Sequence, residues 1–204
     1  MHGMRSPAGT FSSRLETAEK LRLINARQGL RLRKLVHDAL PALAGSALPL
    51  DRKVIRLREI ADKVGAAIAP FTPCRKGCSA CCHKPALISE MDAMLISEAT
   101  GKPLAAPRRV FDVTAGEEAR RSFFAPYAGT PCPFLKDDAC SIYEHRPIVC
   151  RVHHSLEATP APCDQPTRNV AALDLTPIYA TELRMAGPLM VWSDIREFFP
   201  LTVP

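Results

Sequence analysis

Four thiols stand within nine residues at Cys74-Arg-Lys-Gly-Cys78-Ser-Ala-Cys81-Cys82. After an interval of 49 residues come Cys132, Cys140 and Cys150, and Cys163 closes the series; no other cysteine occurs in the 204-residue chain. Thiols gathered in this way can form a disulfide framework, ligate metal or carry out thiol chemistry. Short spacing in one loop, joined by thiols on a second segment, suits metal, because an ion holds its ligands only a few ångströms apart. Gly77 fits such a loop, where a knuckle often needs positive φ. Cysteine is about 4% of the chain, below the ~8–10% of small disulfide scaffolds. All eight cysteines are therefore candidate metal ligands. Eight exceed one tetrahedral site, so either two metals bind or one cluster leaves some thiols spare. Adjacent Cys81 and Cys82 are expected to point apart, toward different metals or with one of them structural.

Other donors are sparser. His153 stands three residues after Cys150, so one helical turn could aim both at a metal; His83 and His154 also lie beside cysteine segments. Outside such a role they are surface groups or supports for the ligands. Arg146 and Arg151 are expected to hydrogen-bond thiolates or cap a loop, and Tyr143 and Phe134 to belong to the core. There is no nucleophile elbow, phosphate loop or dinucleotide fingerprint.

The elements that must position these groups are mainly helical. Residues 1–12 read as disordered. Ser13 with Glu16 fits a capping box opening a helix to about residues 37–40, stopped by Pro41. Asp51 can cap a second helix to about Ala69, whose Val54, Leu57, Ala61, Val64 and Ile68 follow 3-4-3-4 spacing. Together they predict a helical hairpin over 13–69, followed by a cysteine domain over 70–204. Within that domain Ser89 with Asp92 opens a helix closed by Gly101, and a short strand is expected at 109–113. A further helix covers 114–124, and 131–143 reads as a β-hairpin around Lys-Asp-Asp. A turn or helix spans 144–152 with Pro147 near its first turn. Residues 155–168 form a Pro-rich loop carrying Cys163. Thr176-Pro177 opens a helix to about Met185, and a last segment runs through Trp192 to Phe199. The fold class is mainly α with a small β-hairpin, an α+β or irregular domain centred on metal.

The net charge of +6 is uneven: residues 1–63 hold thirteen Lys/Arg against six Asp/Glu, and the rest of the chain is close to balanced. The basic hairpin is a solvated face or a docking surface. An acidic protein partner is favoured over nucleic acid, since no aromatic residue interleaves its basic residues after Phe11. No apolar run is long enough to span a membrane, and no leader segment is visible at the N-terminus, so a cytosolic location with reduced thiols is expected.

The spacing Cys74-x3-Cys78-x2-Cys81 is similar to the cluster loop of radical S-adenosylmethionine enzymes. Ala80 replaces the aromatic usual before the last cysteine, and a basic helical hairpin precedes the loop where a first barrel strand belongs. A broader resemblance joins the motifs. Cys74-x3-Cys78-x2-Cys81-Cys82, Cys132-Pro-Phe-Leu, Cys140-Ser-Ile-Tyr-Glu-x-Arg-Pro147, Cys150-Arg151 and Cys163 together resemble the YkgJ-type cysteine-cluster proteins over roughly residues 70–175. That family is named for zinc or iron chelation. Its members often have two residues between the first cysteines, where this chain has three, and an aromatic where this chain has His153. The resemblance implies zinc or iron, with an iron–sulfur cluster as one form, held by clustered cysteines. Flagellin lysine methylases carry a similar cluster, so an iron-dependent enzyme modifying a peptide or protein is the alternative to a binding module.

Overall fold

The computed structural model describes residues 11–157, 163 and 174–201. The disorder expected of residues 1–12 falls outside them except at residues 11 and 12, which open the first helix. The Pro-rich loop expected at 155–168 also lies outside them, apart from residues 155–157 and Cys163.

Helix α1 (Phe11–Arg33) passes through a wide π-helical stretch, Lys34–Ala39, into α2 (Leu40–Ala44). The stop expected at Pro41 does not occur. Proline lacks an N–H and crowds the carbonyl four residues earlier; the widened turn relieves both, and Pro41 sits in the first turn of α2. Helix α3 (Leu50–Ile68) is preceded by Pro49 at its cap position, and Asp51 makes no capping hydrogen bond. Asp51 lies instead in the first turn, beside the positive end of the helix dipole. The apolar stripe Val54, Leu57, Ala61, Val64 and Ile68 is buried throughout. Leu57, Ala61, Val64 and Ile68 pack in one cluster with Ile24, Leu40 and Leu43 and with Ile148, Leu156, Leu175 and Ile178. One core therefore runs from the helical hairpin into the cysteine region.

Strand β1 (Leu87–Ser89) leads into α4 (Glu90–Thr100). Here the expected signals operate: Ser89 Oγ accepts from the Asp92 N–H at 3.0 Å, and Gly101 closes the helix at φ 69°. Helix α5 spans Glu117–Phe124. Strands β2 (Leu135–Lys136) and β3 (Ala139–Cys140) form the expected hairpin. Its two-residue turn, Asp137-Asp138, has positive φ at both positions (49° and 54°), the primed geometry that matches strand twist. Helix α6 (Ile148–Arg151) starts directly after Pro147, α7 covers Thr176–Ala186, and β4 (Trp192–Asp194) runs into α8 (Ile195–Phe198). The molecule is mainly helical with small antiparallel strand pairs.

Residues 109–113 form no strand. Their backbone lies against β4, with the Phe111 N–H donating to Trp192 O at 2.8 Å, too short an encounter for a ladder. The pairing that does occur joins β1 to β4, with Leu87 opposite Asp194 and Ser89 opposite Trp192. Among the described residues no helix is long and apolar enough to cross a membrane.

Candidate metal centre

The cysteines reach one place from four segments. Cys74 and Cys78 sit in the loop after α3, where Gly77 takes the left-handed φ of 90°. Cys81 and Cys82 share a single 3-10 turn, Ala80–His83. Cys132 leads into the β-hairpin, Cys140 ends β3, and Cys150 lies on α6. Backbone hydrogen bonds join the first loop to the hairpin: the Cys132 N–H donates to Cys82 O at 2.7 Å and the Gly129 N–H to His83 O at 2.9 Å.

Three buried polar groups lock this arrangement. Arg196 donates to Cys82 O and Lys84 O at 3.3 Å and to Pro131 O at 3.2 Å, so one guanidinium clasps both cysteine loops. Its charge is matched by Asp194 at 2.8 Å, which also accepts from the Ala86 N–H at 2.7 Å. Asp92 pairs with Arg58 (Nε at 2.9 Å) and accepts from the Ile148 N–H at 2.9 Å, fixing the start of the helix that carries Cys150. Arg151 donates to Asp62 at 2.6 Å and to Arg146 O at 2.8 Å. Arg151 thus caps the loop and ties it to α3.

All eight cysteines line a single cavity of about 80 Å³, together with His153, His154, Arg146, Lys84 and Tyr143. No carboxylate is among its described lining residues. A wall of sulfur and imidazole nitrogen suits zinc or iron and not magnesium or calcium, which take oxygen ligands. Among the described residues no three Cys, His, Asp or Glu side chains already converge as a finished ligand set. The sulfurs surround the space, and an ion would have to draw them inward.

The electrostatics show why a cation belongs there. Burial pushes the Cys150 thiol well up and the Cys132 thiol up to about 11. Cys74 and Cys163 are also raised by burial. Cys82, Cys140 and Cys81 share protons as close neighbours: Cys82 holds its proton more tightly, while Cys81 and Cys140 beside it ionise more easily. Arg146 adds its positive charge beside Cys81, Cys140 and Cys150. Cys163 is buried and the other seven cysteines are half-buried; thiols this closely packed repel one another when ionised, and a metal that replaces their protons removes that cost. The two histidines are also prepared. His154 Nε2 lies 2.9 Å from Arg151 O, which can only accept, so Nε2 carries the proton and the lone pair is on Nδ1. That Nδ1 and His153 Nε2 are both buried without a partner. Burial lowers both pKa values, which keeps the imidazoles neutral, the form that binds metal. The residues present fit zinc or iron.

The cavity brings together every cysteine picked out from spacing, and His153 and His154, but not His83. Cys81 and Cys82, expected to serve different metals or to leave one of them structural, both line the same cavity. Phe134 is core, but Tyr143 is only half-buried and lines the cavity beneath Arg146, 3.8 Å from its ring centre. Ser155 is a participant that spacing did not reveal. It is fully buried, its N–H donates to Cys74 Sγ at 3.2 Å, and its hydroxyl accepts from the Glu157 N–H at 3.1 Å. Its only sequence signal is its place directly after the two histidines.

The family model CxxCxxCC, described as "Putative zinc- or iron-chelating domain", matches residues 73–173. No curated protein and no solved structure matches the chain.

Proposed function

Since residues 73–173 belong to the CxxCxxCC family, the YkgJ-type cysteine-cluster proteins, we propose that this protein holds zinc or iron in the thiol cavity, with its eight cysteines as the ligand pool. The observation that carries this reading is the lining itself: eight thiols and two neutral histidines around one space, with no described carboxylate in its wall. Bound there, the metal supplies positive charge that the buried thiols lack. The chain's own residues hold it, exclude water and orient the loops, through Arg196, Asp92 and Ser155. A reducing, cytosolic setting is part of the proposal, because oxidised thiols could not ligate. So is docking of an acidic protein along the exposed Arg27, Arg31, Arg33 and Lys34 of the first helical segment. Purification without oxygen, followed by elemental analysis and an absorption spectrum, tests the metal: zinc or iron near stoichiometry supports it, and a metal-free folded protein overturns it.

A second reading, iron-dependent modification of a peptide or protein, is favoured by one observation. A cleft of about 520 Å³ shares Cys81, Lys84, Ala86, Cys150 and His153 with the thiol cavity and is also lined by Arg120, Phe124 and Tyr179. Its size falls within the ~300–1,000 Å³ of small-molecule sites. Nitric oxide added to the ferrous protein discriminates: a new visible absorption band means an open iron position beside the cleft, and an unchanged spectrum means closed sites.

A further inference from the structure

Of the two histidines on the cavity wall, His154 is held the way a metal ligand is held. A metal-binding imidazole gives one ring nitrogen to the ion and donates the N–H of the other to a fixed acceptor, which sets the tautomer and the ring orientation. For His154 that acceptor is Arg151 O, 2.9 Å from Nε2. The lone pair is then left on Nδ1, which is buried and has no hydrogen-bond partner. An acceptor buried without a donor is costly, and a cation on it removes the cost. His153 differs. Its Nε2 is also buried without a partner, but it has no counterpart of the Arg151 anchor among the described residues, and its ring is shared with the neighbouring cleft.

The surrounding chain fixes the His154 ring from two sides. It rests on α3 at Gly65, where a Cβ would stand 3.4 Å from Nε2 and 3.5 Å from Cε1. Glycine inside a helix lowers stability relative to alanine, and here the bare backbone leaves room for the imidazole. On the other side, the Ser155 N–H donates to Cys74 Sγ at 3.2 Å and the Glu157 N–H to Ser155 Oγ at 3.1 Å. Lys20 on α1 donates to Leu156 O at 2.9 Å and to Glu157 O at 3.0 Å, and the Leu156 side chain is core. One short stretch, 154–157, therefore carries the imidazole, touches a cysteine sulfur and is tied to both α1 and α3.

Resting on the metal-binding reading above, we propose that His154 is a ligand of that metal through Nδ1, on the stretch of wall that also holds Cys74. The centre is then a mixed thiolate–imidazole site and not a purely thiolate one. Sulfur and imidazole nitrogen together suit zinc and iron, and a neutral ligand spares the ion the negative charge that one more thiolate would add.

The test uses the full chain, stripped of metal, handled without oxygen and labelled with heavy nitrogen in histidine, with zinc as the probe. Proton–nitrogen correlation spectra, with His154 assigned through the backbone, report its two ring nitrogens separately. At saturating zinc, Nδ1 should leave its lone-pair position for a metal-bound one while Nε2 stays protonated. His154→Ala should raise the zinc dissociation constant roughly tenfold or more, since losing even an outer partner of a ligand costs that much. An Nδ1 signal unmoved at saturating zinc overturns the proposal, as does metal bonding at Nε2 instead. So does a His154→Ala variant that binds zinc as tightly as the parent. No zinc uptake at all refutes the metal-binding reading itself, whereas zinc bound with the His154 ring unchanged leaves that reading standing and removes only this ligand.

Discussion

Cys140 and Cys150 line the same cavity, yet their thiols are shifted in opposite directions. Cys140, beside the Cys82 thiol, ionises easily, whereas burial holds Cys150 protonated. In the metal-free protein this difference should be visible as chemical reactivity, because the thiolate is the nucleophile. Iodoacetamide near pH 7.5, followed by peptide mapping, should label Cys140 first and Cys150 last; uniform labelling would show that the pocket does not persist without metal. Outside the site, Glu182 is fully buried, accepts from Ser89 Oγ at 2.7 Å, and has its pKa pushed well above the ordinary carboxyl value by burial and by Asp92. The folded state therefore keeps a proton that the unfolded chain releases above about pH 4.5. Stability from this group is fully present below that pH and is lost as pH rises toward the folded value. Glu182→Gln keeps an acceptor for Ser89 and removes the titration. At equal metal loading, denaturant unfolding should show a smaller loss of stability between pH 5 and pH 8 in the variant than in the parent.

The elements around the site differ in how local their causes are. Helix α4 was legible in the sequence because its start, Ser89 with Asp92, and its end, Gly101, act within a few residues. Helix α3 was legible from its apolar period. The β-hairpin was announced by its turn residues, though the two-aspartate primed turn is visible only in the backbone. The pairing of β1 with β4 was not legible: each strand is three residues long, too short for a period, and the partners meet only through the tertiary fold. Arg196 escaped for the same reason, since its partners at residues 82, 84 and 131 are remote in sequence. The grouping of the cysteines was plain from spacing; that all eight line one cavity depended on tertiary contacts between their loops, which no local signal announces. Because Arg196 is buried and clasps both loops, Arg196→Ala should leave Asp194 as an uncompensated buried charge and lower stability by about 3–5 kcal/mol. Thermal unfolding and metal retention should fall together; a variant that keeps its melting temperature contradicts the clasp. Gly77→Ala meets no atom within 4 Å, so its cost comes from the positive φ alone, about 1–2 kcal/mol.

At the scale of the whole molecule, the helical hairpin and the cysteine region share a core through α3, and Asp62 and Arg58 on α3 reach Arg151 and Asp92 beside the site. Removing residues 1–69 should therefore uncover Ile148 and Ile178 and reduce metal retention, measured as metal per soluble chain. Metal removal from the intact chain should act the other way round, loosening residues 74–82 and 130–150, whose sulfurs have the least regular structure around them, while α3 stays protected from hydrogen exchange. Both outcomes depend on sulfur holding the ion. X-ray absorption at the edge of the metal that copurifies without oxygen measures this directly. A coordination shell dominated by sulfur near 2.3 Å, the usual thiolate distance for zinc, is expected; a shell of oxygen and nitrogen alone would contradict thiolate binding.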